Sequence, residues 1–290
     1  MRLVARFGED VAAWWARLPG AIELLAARWD LVVGEPVGRG NTSVVIRCRR
    51  RGDGARAVLK LCPDPSLSRA EAQALRAWRS SGRVPALWEA DGTVGALLLE
   101  ALPDERPLSE RAAPVAIGAV AGLLRALQVP PPADPREFPA LSARVEFIFD
   151  HWIERYRPDP AVSRAVPSER LERGREVARE LATAGGAAVL LHGDLHAGNV
   201  LDGGSARGLV AIDPRPCLGD PAFDAVDWVF WGEDDPDAWA ARRMELAGAI
   251  GCGSDRLRLW CAALAALLAA GRLARGEETD RVAALLALAP

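Results

Sequence analysis

The chain reads as an α+β protein in two parts: a small N-terminal part built on a five-stranded antiparallel sheet with one helix, and a larger, mainly helical C-terminal part. Three observations predict this. Five short apolar runs separated by turn residues fall between positions 31 and 100. Beyond Pro107 the apolar residues recur at spacings of three and four, the period of helices buried on one face. Among 36 Lys and Arg residues there is one lysine, Lys60, and it lies inside one of the apolar runs. A chain of 290 residues is long enough for two separate cores. The expected division is 1–103 and 104–290.

In order, a Trp- and Ala-rich helical segment from Val11 to Arg28 is expected to pack on the N-terminal part. Strands follow near 31–38, 43–49 and 56–62, a helix near 67–80, and strands near 85–90 and 94–100. The run Leu97 to Pro103 ends the last strand and forms the connector between the two parts. Helices are expected near 109–128, then, after the break Val129-Pro130-Pro131-Pro132, near 140–157 and 168–184. Four more close the chain near 222–231, 236–250, 254–272 and 278–288. Leu257, Trp260, Cys261, Leu264, Leu268 and Gly271 recur at helical spacing and are expected in the core.

The chemistry concentrates in LHGDLHAGNVLDGGSARGLVAID, Leu191 to Asp213. Asp194, Asn199 and Asp213 lie on short connections flanked by apolar strand-like runs at Ala188–Leu191 and Gly208–Ile212. Phosphoryl transfer from Mg-ATP uses such a set: one carboxylate to orient the attacking hydroxyl, and an amide with a second carboxylate to hold the metal on the phosphates. Two other readings stand beside this one. His192, Asp194 and His196 could form a zinc trio, which would leave Asn199 and Asp213 without a role. Alternatively the segment could be a polar turn between buried strands.

Lys60 lies in Ala57-Val58-Leu59-Lys60-Leu61. Its compact ammonium on a flexible stem suits one positive charge serving two phosphates, where a planar guanidinium does not. Glu71, in the helical segment Ser68–Leu75, is the candidate to pair with Lys60 and aim it. Upstream, Val37-Gly38-Arg39-Gly40-Asn41-Thr42-Ser43-Val44-Val45 reads as strand, tight turn and strand. It follows the pattern G-x-G-x-x-G-x-V with Ser43 in place of the third glycine, so that Gly38, Gly40 and Ser43 would cradle phosphate oxygens. Loop, Lys60, Glu71, Asp194, Asn199 and Asp213 occur in the order that ATP-dependent phosphotransfer requires.

With those residues on the page, HGDLHAGNVL followed by AIDPRPCLGDPAFDAVDWV resembles the aminoglycoside phosphotransferase family, most closely its streptomycin 6-phosphotransferase and hydroxyurea phosphotransferase branch. The resemblance runs from Gly38 to the helices after Asp224. It implies a bilobal protein-kinase-like fold, ATP and Mg²⁺ as cofactors, Asp194 as catalytic base, Asn199 and Asp213 as metal ligands, and Lys60 on the ATP phosphates. It implies too that the backbone from Glu100 to Leu102 holds adenine. Asp213 is followed by Pro214-Arg215-Pro216 rather than the Phe-Gly of protein kinases, and no A-P-E triplet follows. A constitutively active small-molecule kinase is therefore expected.

For the acceptor, Asp220, Asp224, Asp227, Glu233, Asp234, Asp235 and Asp237 fall in one stretch without a basic residue, interleaved with Trp228, Trp231 and Trp239. Asp220, Asp224 and Asp227 with Trp228 and Trp231 would make an acidic, aromatic-walled site for a cationic acceptor such as streptomycin. Hydroxyurea, small and neutral, would not need one. The competing reading is that Asp220 and Asp224 cap a helix and brace the catalytic loop. A net charge of −3 and alternating charges on helical stretches exclude a nucleic-acid footprint. Five cysteines without C-x-x-C spacing read as reduced thiols. Acidic Glu9 and Asp10 precede any apolar stretch, so no signal peptide is expected. The expected protein is cytoplasmic, acts on a small molecule and needs no protein partner.

Overall fold

The computed structural model describes residues 3, 7, 8, 11–38, 42–111, 115–132, 134, 137–277 and 280–290. The backbone gathers into two compact units, Met1–Arg106 with Leu201–Asp213, and Pro107–Val200 with Pro214–Pro290. Each unit is discontinuous in sequence.

The first unit is built on strands β1 (Leu31–Val37), β2 (Val44–Arg50), β3 (Arg56–Leu61), β4 (Leu87–Asp91) and β5 (Ala96–Glu100), in the antiparallel order β1-β2-β3-β5-β4. Pro36, which cannot donate to a ladder, lies in the edge strand β1, where the register shifts between Val33 and Pro36. Beside it, any Cβ on Gly34 would stand 2.9 Å from the Arg47 carbonyl oxygen, so only glycine fits. Helix Val11–Arg28 covers one face of the sheet: Leu18 and Leu25 pack with Leu31, Ile46, Cys48, Ala57, Leu59, Leu61, Ala96 and Leu98. Strand alternation turns Lys60, paired in register with Val45 and Leu97, away from that core.

Helix Pro65–Trp78 follows β3. The Asp64 carboxylate caps it by accepting the Ser66 N–H, and Pro65 occupies a first-turn position where its missing N–H costs nothing. Ser68, Glu71, Ala72, Leu75 and Trp78 are buried at spacings of three and four. The α-helix stops at Trp78, short of the expected 80, in a 3₁₀ turn Arg79–Ser81 closed by Gly82 at φ 66°.

The hairpin of β7 (Val200–Asp202) and β8 (Leu209–Ala211) carries Asp213 just beyond its end. Leu201 and Val210 pack with Leu102. Arg207, between the strands, places Nη1 2.7 and 2.8 Å from the Glu100 carboxylate oxygens, Nε 3.0 Å from the Gly82 carbonyl and Nη2 2.7 Å from the Val84 carbonyl. The hairpin that delivers Asp213 is thereby tied to the end of β5 and to the segment after helix Pro65–Trp78.

In the second unit the expected helices stand as Leu141–Tyr156, Ser168–Thr183, Pro236–Ile250 and Ser254–Leu273, and the last as Asp280–Leu288. The helix expected over 109–128 is confined to Ile117–Leu127, beyond Pro114, and Leu108–Glu110 is an isolated 3₁₀ turn. Pro160–Ala165 is a short helix that the sequence reading missed; its signal was Asp159-Pro160, with Asp159 accepting the N–H groups of Ala161 and Val162. The stretch 222–231 divides into a 3₁₀ turn Phe223–Ala225 and a helix Val226–Phe230. Ser254–Leu273 is buried nearly all round, the mark of a central helix. Leu257, Trp260, Cys261 and Gly271 are buried and Leu264 and Leu268 half-buried. A Cβ on Gly174 would stand 2.5 Å from the Ala263 carbonyl oxygen, so helix Ser168–Thr183 meets that helix backbone to backbone. Strands β6 (Val189–Leu191) and β9 (Cys217–Gly219) pair antiparallel and frame the loop that begins at His192. No described helix is long and apolar enough to cross a membrane.

Candidate active site

In the first unit Lys60 is 6% exposed, and its Nζ lies 2.7 and 2.6 Å from the two Glu71 carboxylate oxygens and 2.5 Å from Asp213 Oδ1. Burial alone would lower the ammonium pKa; attraction to Asp213 and Glu71 outweighs it and raises the value, so Lys60 stays charged. Asp213 takes φ 56°, a left-handed conformation that Asp tolerates, and precedes Pro214, which disfavours the right-handed helical region. The turn brings its carboxylate to Lys60 while leaving the side chain 46% exposed. Gly38 is exposed at the end of β1 and Ser43 is buried before β2, while Gly40 lies outside the described residues.

The connector corrects one expectation. The N–H of Glu100 donates to the Ala86 carbonyl at 2.9 Å and that of Ala101 to the Arg56 carbonyl at 3.3 Å. Neither is a donor to adenine, and the Glu100 carboxylate belongs to Arg207. The Leu102 side chain is buried with Leu201 and Val210.

In the second unit the loop after β6 is held from several sides. Gly193 has φ 74°, and a Cβ there would stand 2.1 Å from the Arg215 carbonyl oxygen, so the residue before Asp194 must be glycine. The Arg215 N–H donates to the His192 carbonyl at 2.8 Å. Asn199 Nδ2 donates to the Asp194 carbonyl oxygen at 2.9 Å and to Asp194 Oδ2 at 3.3 Å, so its Oδ1 is the acceptor end of the amide. His196 Nδ1 accepts the Gly198 N–H at 3.0 Å, so that ring nitrogen is unprotonated in this bond and His196 presents Nε2 outward. His192 is fully buried and buttresses the loop. This division of labour disposes of a zinc trio: His192 is interior, and no group of three His, Cys, Asp or Glu side chains among the described residues could hold a metal.

Sequence reasoning missed Arg144. From helix Leu141–Tyr156 it places Nη2 3.1 Å from Asp194 Oδ1 and Nε 2.8 Å from the Gly193 carbonyl. Burial lowers the guanidinium pKa while Asp194 opposes that shift.

The acceptor stretch is largely consumed by structure. Asp224 is buried, and its two oxygens accept the N–H groups of His192 at 2.7 Å and Gly193 at 2.9 Å. Asp220 accepts from Trp260 Nε1 at 2.7 Å and Arg256 Nε at 2.5 Å. Arg242 engages Glu233 at 2.8 Å, Arg281 engages Asp234 at 2.9 Å, and Asp235 caps helix Pro236–Ile250. Trp228 is fully buried with its ring edge-on to Trp231, 5.4 Å between centroids, and so cannot wall a site. Asp220, Asp224 and Trp228 are thus corrected from acceptor contacts to bracing and core. Asp227 is exposed and Trp231 half-exposed. Desolvation and then Asp194 raise the Asp227 carboxyl pKa, while His196 and Arg272 pull it down.

The Asp224 brace is expected to make activity pH-dependent. Burial pushes its carboxyl up to about 7, with the Gly193 and His192 N–H groups restraining the rise and Asp194 adding to it. Protonation puts an O–H where the loop needs an acceptor, so kcat is expected to fall as pH drops through about 7. The stability contribution runs the other way. The folded value lies above the unfolded carboxylate value of about 3.9, so the native state binds more protons between the two. This group's contribution therefore declines as pH rises from about 4 to about 7 and is flat above. Paired pH–rate and denaturant-unfolding series check this; full kcat in Asp224→Asn would contradict the brace.

A family model for aminoglycoside/hydroxyurea antibiotic resistance kinases matches residues 28–276. A hydroxyurea phosphotransferase of Kitasatospora aureofaciens is 37% identical over 249 residues, which cover 84% of this chain and 69% of that protein. A streptomycin 6-kinase of Streptomyces glaucescens is 36% identical over 223 residues, 75% of this chain and 68% of that protein. Among solved structures, the choline kinase LicA of Streptococcus pneumoniae superposes with a TM-score of 0.60 at 12% identity, covering 94% of this chain and 96% of its own. The aminoglycoside phosphotransferase APH(4)-Ia does so with 0.59 at 17%, covering 94% and 99%. These likenesses show a protein-kinase-like fold. The chain belongs to the aminoglycoside/hydroxyurea antibiotic resistance kinase family and is a phosphotransferase with a hydroxyl acceptor.

Proposed function

We propose that this enzyme transfers the γ-phosphoryl group of ATP to streptomycin, at the 6-hydroxyl of its streptidine ring, and so confers resistance. The observation that carries the reading is Asp194, held by Arg144 and Asn199, with its charge among the causes that raise the carboxyl pKa of the exposed Asp227. Asp194 accepts a hydrogen bond from the acceptor hydroxyl and takes its proton late, because the transition state is loose. Lys60, oriented by Glu71, neutralises phosphate charge, and Gly38, Gly40 and Ser43 hold the phosphates. Asn199 Oδ1 and the Asp213 carboxylate are hard oxygen donors that suit Mg²⁺. When bound, Mg²⁺ offsets the charge that develops on the transferred group. Asp213, which here contacts Lys60, would be shared between that ammonium and the ion, and Lys60 would keep Glu71 as its partner while serving phosphate. The compartment that supplies Mg-ATP is the cytoplasm.

A cationic acceptor follows from crowding. The Asp194 charge raises the Asp227 carboxyl pKa, and an incoming guanidinium would offset both carboxylates. Trp231, half-exposed four residues beyond Asp227, is the aromatic candidate to meet the cation. A second reading, hydroxyurea, is favoured by the pairing of Asp220, Glu233 and Asp234 with arginines, which leaves less negative charge than the sequence implied. ADP release with each acceptor separates them. Asp227→Asn is expected to raise KM for streptomycin about tenfold, the worth of one charged hydrogen bond, with KM for ATP unchanged. An unaltered KM for streptomycin, or higher kcat/KM on hydroxyurea, rejects the streptomycin reading.

A further inference from the structure

Within the phosphotransfer set drawn from the sequence, the Asp194 carboxylate is touched by Asn199, and only at 3.3 Å. Asn199 reaches Asp194 mainly through its backbone carbonyl, at 2.9 Å against 3.3 Å for Oδ2. The loop backbone is set by Gly193, Arg215 and Asp224, yet a carboxylate one bond further out keeps a rotatable side chain. Arg144 removes that freedom. One guanidinium face spans two groups, with Nε on the Gly193 carbonyl at 2.8 Å and Nη2 on Asp194 Oδ1 at 3.1 Å. Its side chain is 12% exposed against 38% for Asp194, so the grip comes from the more buried partner and leaves part of the Asp194 side chain open. The guanidinium lies 5.4 Å from the centre of the Phe147 ring, which restricts its own motion.

Resting on the reading that Asp194 orients the acceptor hydroxyl, we infer that Arg144 is a positioning residue for the phosphoryl-transfer step. It holds Asp194 Oδ1 so that Oδ2 faces the hydroxyl, and it does so from a helix that contributes nothing else to the motif. The planar fork matters, because two acceptors in fixed relation are met by two N–H groups of one plane. A lysine can serve one of them.

The test uses the full chain with ATP and Mg²⁺, reading ADP release with streptomycin, with hydroxyurea, and with neither, where water is the acceptor. Arg144→Lys and Arg144→Ala are compared with wild type and with Asp194→Asn. Arg144→Ala is expected to lose about 100-fold in kcat, the effect of misplacing a reacting group by about an ångström, with KM for ATP and for the acceptor unchanged. Added guanidinium ion at low millimolar concentration is expected to restore part of that rate, which a structural defect would not allow. If Arg144→Ala fails to fold, Arg144→Lys decides: it is expected to be folded, to bind ATP normally and to lose about tenfold in kcat. Full kcat in Arg144→Lys, a loss confined to KM, or misfolding of both variants overturns the role. The underlying reading fails separately. If wild type is inert in every arm, or Asp194→Asn turns over normally, Asp194 is not the base, and Arg144 positions nothing for it.

Discussion

Replacing Asp194 by Asn is expected to lower kcat by about 10²–10⁴-fold, the range for loss of a positioned general base, while leaving ATP affinity unchanged. The substitution is a clean probe because the local framework survives it. The Asn199 amide donates to the Asp194 backbone carbonyl, and an amide oxygen at position 194 still accepts from Arg144 Nη2. Asp224 continues to hold the His192 and Gly193 N–H groups. What changes is the ability to accept the hydroxyl proton. Because bond formation lags bond breaking in phosphoryl transfer, the loss belongs toward the lower part of that range if Asp194 mainly orients, and toward the upper part if it takes the proton early. ADP release with each acceptor, together with nucleotide binding by calorimetry, measures both quantities. Turnover within threefold of wild type would refute the role; the same loss accompanied by weakened ATP binding would move Asp194 to the nucleotide side.

The sequence made the catalytic constellation legible because its chemistry is rare in this composition. One lysine among 36 basic residues, placed in an apolar strand, could be singled out, and its strand is the central β3 flanked by β2 and β5. Glu71 was the acid of the helical segment that follows Lys60, and the structure puts both of its oxygens on Lys60. Arg144 was invisible for the opposite reason: it is one of many arginines, and nothing in Leu141–Tyr156 distinguishes the one that turns toward Asp194 from those that turn to solvent. The acidic stretch after Asp220 failed as a guide because one-dimensional charge counting omits the partners. Arg242, Arg256 and Arg281 lie 9, 36 and 47 residues from the acids they pair with. Trp228 was misread because an aromatic beside an acid looks the same in sequence whether it walls a site or fills the core. Periodicity overran the helix expected over 109–128 because the apolar pattern continues across a segment containing Pro114, where backbone chemistry rather than pattern decides.

Lys60→Met is expected to abolish turnover and also to destabilise the first unit, and the two effects can be separated. The ammonium sits between a carboxylate that is 6% exposed, Glu71, and one with a half-open side chain, Asp213. Deleting the cation leaves Glu71 as a buried charge without its principal partner, a change that costs about 3–5 kcal/mol. Asp213 adds little to that cost because water can solvate it. Methionine matches the lysine stem in volume, so cavity formation contributes little. Replacing both members of the buried pair, Lys60→Met with Glu71→Met, removes the orphaned charge and is expected to recover most of the loss. Stability is then near wild type while activity stays absent, because no cation serves the phosphates. The pH dependence has a definite sign. The folded-state pKa of Lys60 is raised above its unfolded value of about 10.4, so the stabilisation is complete below that pH and is lost only as pH climbs toward the folded value. The wild-type contribution of Lys60 is therefore constant from about pH 6 to pH 9, whereas Lys60→Met is expected to lose stability as pH rises and its unpaired, buried Glu71 ionises, so the gap widens with pH. Denaturant midpoints for the two single variants and the double variant close the cycle. A single variant as stable as wild type, or a double variant no better than Lys60→Met, would show that Glu71 is not held as a buried anion by this lysine.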